Sequence, residues 1–81
     1  MDKPCEICGR PSHHYHHVFG AANRKHSETY NLKMRLCYQC HERIHNDKSL
    51  DIHFKQIWQT VFETEYSHEL FMKIFGRNWL C

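Results

Sequence analysis

Apolar and polar residues alternate over residues 32–36, where Leu32, Met34 and Leu36 are separated by Lys33 and Arg35. A period of two predicts a strand with one buried face. A second aromatic and β-branched stretch lies upstream, His13-His14-Tyr15-His16-His17-Val18-Phe19, and also reads as a strand. Gly9 and Pro11 mark a turn before it, and Gly20-Ala21-Ala22-Asn23 ends it. The polar residues 23–31 predict a loop with a short helical turn. Residues 37–46 predict a helix, because Cys37, His41 and His45 fall at i, i+4 and i+8 on one face.

Beyond residue 46 the period changes. Leu50, Phe54, Ile57, Trp58, Val61 and Phe62 recur at helical spacing, with Asp47 or Ser49 placed to cap the start. Ser67 is placed to cap a further helix carrying Leu70, Phe71, Ile74 and Phe75, which Gly76 would end. The first half is therefore strand, loop, strand, helix, and the second a helical hairpin whose aromatics read as core. This is an α+β pattern in one domain, residues 1–81, with residues 47–81 packed as an extension on residues 5–46.

Size makes cysteine usage decisive. A chain of 81 residues is near the lower limit for a self-sufficient core and usually needs a staple. The start, Met1-Asp2-Lys3-Pro4, has no charged-then-apolar signal pattern, and no apolar run is long enough to span a membrane. A cytoplasmic location is expected, and there paired cysteines are metal ligands more often than disulfides. The pairs Cys5-x-x-Cys8 and Cys37-x-x-Cys40 read as one structural Zn²⁺ site built from two knuckles. Four ligands from Cys37, Cys40, His41 and His45 could not surround an ion from one short helix. A finger-like set of Cys5, Cys8, His41 and His45 is geometrically possible but leaves Cys37 and Cys40 unexplained. Cys81 reads as a free exposed thiol.

With the cysteines assigned to zinc, His16, His17, His41 and His45 remain, enough for a second, open metal site. His41 and His45 project from one helix face. Adjacent residues on a strand point to opposite sides, so one of His16 and His17 can join a metal while the other faces a substrate. The net charge of +2 is uneven. Residues 1–46 carry seven basic against four acidic residues, and residues 47–81 four against five. The basic excess lies with the metal-binding half, which suits an anionic partner such as nucleic acid.

A cysteine knuckle, a His-His pair on a strand, and Leu36-Cys37-x-x-Cys40-His41-x-x-x-His45 opening a helix together resemble the HNH endonuclease superfamily, with its ββα-metal (His-Me finger) core. The stretch His16-His17-Val18-Phe19-Gly20-Ala21-Ala22-Asn23-Arg24-Lys25, followed by Ser27-Glu28, is similar to small HNH proteins of bacteriophages and prophages. The resemblance covers residues 5–45. The ending Ile74-Phe75-Gly76-Arg77-Asn78-Trp79-Leu80 is similar to the tail of such phage proteins.

The resemblance implies a metal-dependent DNA endonuclease in a zinc-stapled ββα-metal domain, located in the host-cell cytoplasm if phage-encoded. His16, His41 and His45 would hold a catalytic divalent ion, Mg²⁺, Mn²⁺ or Zn²⁺, and His17 would be the general base. The Asn nearest to the superfamily's middle position is Asn31, one residue further upstream of His41 than the common pattern, in a structural role holding the loop and orienting the His17 ring. Asn23 is the other candidate. Arg24 and Lys25, in the loop between the strands, read either as phosphate contacts or as solvated residues. Phage or host replication, recombination or packaging proteins are possible partners. The other reading is a non-catalytic zinc module that binds DNA or a phage protein. His13 and His14 read as a strand edge facing solvent or DNA. His26, His53 and His68 read as ordinary surface or helix residues, and Tyr15 and Tyr30 as packing residues. The net-acidic hairpin is expected to contribute packing more than DNA contacts.

Overall fold

Two short antiparallel strands and four helices make up the fold in a computed structural model that describes residues 3–80, so Cys81 and the start Met1-Asp2 lie outside the described residues. Strand β1 (His14–His17) pairs with β2 (Lys33–Leu36) in the register His14↔Leu36, Tyr15↔Arg35, His16↔Met34 and His17↔Lys33. Alternation then sorts the side chains. His16, Met34 and Leu36 are buried on one face, while Tyr15 lies on the other and is 51 % exposed. Tyr15 packs on that face against Lys33, whose Nζ sits 5.0 Å from its ring centroid.

A single 3₁₀ turn (Ala21–Asn23) and helix α1 (Arg24–Thr29) connect the strands. The helical part is longer than the one turn expected of such a polar segment. Ser27 is completely buried, and its hydroxyl both accepts from Phe19 N–H at 3.1 Å and donates to Phe19 C=O at 2.6 Å. One side chain therefore satisfies both backbone groups of the residue that leaves β1. Ser27→Ala would orphan a buried N–H, and chemical denaturation should register a loss of about 1–3 kcal/mol. The loop closes through Leu32 N–H on Ser27 C=O at 2.8 Å and Val18 N–H on Leu32 C=O at 3.0 Å. Asn31 lies in this return at φ +56°. That left-handed conformation suits Asn better than most non-glycine residues.

Helix α2 (Tyr38–Asn46) starts immediately after Cys37. Helix α3 (Lys48–Glu65) is capped by Asp47, whose carboxylate accepts from Leu50 N–H at 3.2 Å, which decides between the two caps the sequence offers. Helix α4 (His68–Phe75) is capped by Ser67 and ends on Gly76 at φ +72°. Among the described residues, no helix is long and apolar enough to cross a membrane.

The hairpin covers the loop after β1. Phe19 packs its ring against Phe75 at 4.8 Å, Trp79 at 4.9 Å and Phe71 at 5.5 Å. Phe62 extends the cluster to Phe71 and to Tyr30. Apolar spacing does not identify every inward position of α3. Ile57 and Val61 are 41 % and 47 % exposed, whereas Gln59 is fully buried. Gln59 donates to Asn78 Oδ1 and Glu63 Oε2 and accepts from Trp79 N–H, and Gln56 donates to Trp79 C=O. These bonds clasp the segment after α4 onto α3, and each polar atom of the buried amide finds a partner.

Candidate metal centres and cleft

The knuckle is a tight turn. Cys5 N–H donates to Arg10 C=O at 2.6 Å, and Gly9, at φ +79°, donates to Cys5 C=O at 3.0 Å. Glu6 ties the turn to β2: its N–H reaches Arg35 C=O at 2.8 Å and its carboxylate accepts from Arg35 N–H at 2.7 Å. Cys37 and Cys40 arrive from the start of α2. The Sγ atoms of Cys5, Cys8, Cys37 and Cys40 all lie within 4.8 Å of one another, and the four thiols are free of disulfides. Cys8 Sγ and Cys37 Sγ are 3.5 Å apart.

Those separations fit a tetrahedral thiolate site, in which Zn–S bonds of about 2.3 Å place sulfurs about 3.8 Å apart. Burial works against charge at Cys5. Backbone N–H donors of Cys8, Cys37 and Ile7 nevertheless outweigh it and bring the thiol down to about 6. Burial pushes Cys40 up to about 12. Thiolates this close repel one another, and a bound cation would offset that repulsion. The cluster can hold a structural metal ion such as zinc.

A second cluster joins β1 to α2. One ring nitrogen from each of His16, His41 and His45 lies within 4.8 Å of the others, and His41 Nε2 and His45 Nε2 are 3.2 Å apart. The i, i+4 spacing on α2 supplies two imidazoles and the inward face of β1 the third. Burial holds the His16 imidazole well down, to about 4, helped by the charges of His41 and His45. Burial also lowers His41, with His45 and His14 adding to the effect. Neutral imidazoles keep the lone pairs that a metal needs. His14 is not a free strand edge: its ring stacks on His41 at 5.0 Å.

His17 points the other way. Its Nε2 lies 2.6 Å from Glu28 Oε2, and Glu28 Oε1 accepts from Lys33 Nζ at 3.0 Å. Hydrogen bonds from His17 and Lys33 hold Glu28 below the usual carboxylate range. With Glu28 ionised, Nε2 carries the proton of this bond. The partner of the His17 ring is thus Glu28, not Asn31; Asn31 is an exposed turn residue. Asn23, the alternative, closes the 3₁₀ turn, its N–H donating to Gly20 C=O at 3.0 Å. Glu28 was hidden in the sequence because it lies 11 positions from His17. The adjacent Ser27-Glu28 motif was the available signal.

His16, His41 and His45 open into a cleft of about 530 Å³ that also takes in His17 and Arg24. Lys25 lines an adjoining hollow beside His17 and Glu28. Asp51 and Lys55 of α3 also face the cleft. His26 packs edge-on to Phe75 and His68 pairs with Glu63 at 2.7 Å, while His53 is exposed on α3. No protein-family model, curated protein or solved structure matches the chain.

Proposed function

We propose that this protein is a metal-dependent DNA endonuclease of the HNH type, with a zinc-stapled ββα-metal core over residues 5–46. The observation that carries the reading is the grouping of His16, His41 and His45 beside a cleft that also contains His17. Three protein ligands leave coordination positions open for water and a phosphate oxygen. His16, His41 and His45 would hold a divalent ion, which would supply charge stabilisation at the phosphoryl oxygens and the leaving 3′ oxygen. His17 Nδ1 takes a proton from the attacking water, and Glu28 fixes the ring and its tautomer through Nε2. Arg24 and Lys25 bind phosphate. The products carry 5′-phosphate and 3′-hydroxyl ends.

A zinc module without catalysis needs only the four cysteines. It gives no reason for three imidazoles to converge, nor for a carboxylate on the fourth. Incubation of the purified protein with supercoiled plasmid and with single-stranded DNA in Mg²⁺ or Mn²⁺ tests the choice. Cleavage is expected, and no cutting under any divalent metal would favour the binding module. Glu28→Ala should slow cleavage about 10- to 100-fold by loosening the base, while circular dichroism remains that of the parent. An unchanged rate would remove Glu28 from the mechanism.

A further inference from the structure

Helix α3 lies outside the stretch that carries the nuclease resemblance, yet it places an ion pair in the cleft. Lys55 Nζ lies 2.7 Å from Asp51 Oδ2, and the two side chains are only 20 % and 25 % exposed. Both face the same cleft as His16, His41, His45 and Arg24. The Lys55 ammonium also lies 5.7 Å from the Trp79 ring centroid. Asp51 occupies one of its three donors.

We infer that Lys55 is a substrate-binding residue that contacts a DNA phosphate, so that the strand is held between α1, through Arg24, and α3, through Lys55. The inference rests on the nuclease reading for its substrate class. A half-buried ammonium is screened less than a surface lysine, so its charge acts strongly on an anion entering the cleft. The carboxylate of Asp51 aims the ammonium and moderates the positive potential in the cleft. When a phosphate arrives, the two remaining donors of Lys55 can bond it without breaking the pair. A phosphate contact of this kind fixes the register of the strand without reading bases. The exposed Lys73 on α4 lines no part of this cleft and serves as the control.

The test is the affinity of the full zinc-loaded chain for a fluorescein-labelled mixed-sequence DNA duplex, titrated across salt with no other divalent metal added. Lys55→Met keeps the apolar stem beside Trp79 and removes the charge. It should weaken binding about eightfold at 0.1 M salt and flatten the log–log salt slope by about 0.9. Lys55→Arg should restore both, Lys73→Met should change neither, and Asp51→Asn should tighten binding. If Lys55→Met binds as the parent does while its melting temperature falls, the ion pair is structural and the inference is wrong. Parent protein that binds DNA through Lys55 but cuts none in Mg²⁺ or Mn²⁺ would sink the nuclease reading and leave the Lys55 contact standing. Parent protein that binds no DNA overturns both.

Discussion

Cys5→Ser or Cys40→Ser is expected to yield a chain that does not fold, aggregating or showing no cooperative melting. Both thiols are buried, at 3 % and 4 % exposure, and belong to a four-sulfur cluster that joins the knuckle to the start of α2. A structural zinc site in a small module contributes about 10–16 kcal/mol of apparent binding free energy. A domain has only about 5–15 kcal/mol of net stability. Loss of the site therefore exceeds what the aromatic cluster around Phe19 can be expected to hold alone. A strong chelator should give the same result as the substitution, and added zinc should reverse it. Elemental analysis of soluble, folded protein should find one tightly held zinc per chain on the cysteines. Folded protein with no bound zinc would refute the staple.

His17→Ala is expected to abolish DNA cleavage while the fold and metal content persist. A positioned general base contributes about 10²- to 10⁴-fold, and the neighbouring His16 is grouped instead with His41 and His45. His41→Ala should behave differently. It removes one of two imidazoles that α2 gives to the histidine cluster, so the divalent-ion concentration needed for activity should rise. Rates measured against Mn²⁺ concentration separate the two variants. The first should lower the plateau, and the second should shift the midpoint. If His17→Ala cuts as fast as the parent, the base is another group.

Much of the local architecture was legible in the residues. The alternation around Met34 marks β2, the caps Ser67 and Gly76 bound α4, and the two Cys-x-x-Cys pairs announce a shared cluster. Each of these signals lies within a few neighbouring residues or in a spacing with one chemical use. What stayed hidden depends on which surfaces meet. Gln59 is polar, and nothing in helical periodicity says that the segment carrying Asn78 and Trp79 will fold back to satisfy it. Ile57 and Val61 have the right spacing for a core but are exposed, while the segment after α4 packs on Gln56 and Gln59 of α3. The same rotation of α3 brings Asp51 and Lys55 into the cleft. His14 stacking on His41 and Glu28 meeting His17 likewise depend on how α2 and α1 dock on the sheet.

Cys40 and His41 are consecutive residues of α2, so one helix serves two candidate ions. An ion drawn to the cysteines would anchor the first turn of that helix and hold His41 and His45 at their spacing before a second ion arrives. Thermodynamic reciprocity then requires an ion at the histidines to raise the affinity of the cysteines by the same factor. Loading would be ordered and cooperative. The free zinc level of the surroundings, as much as the rate of synthesis, would set how many molecules can assemble the histidine site.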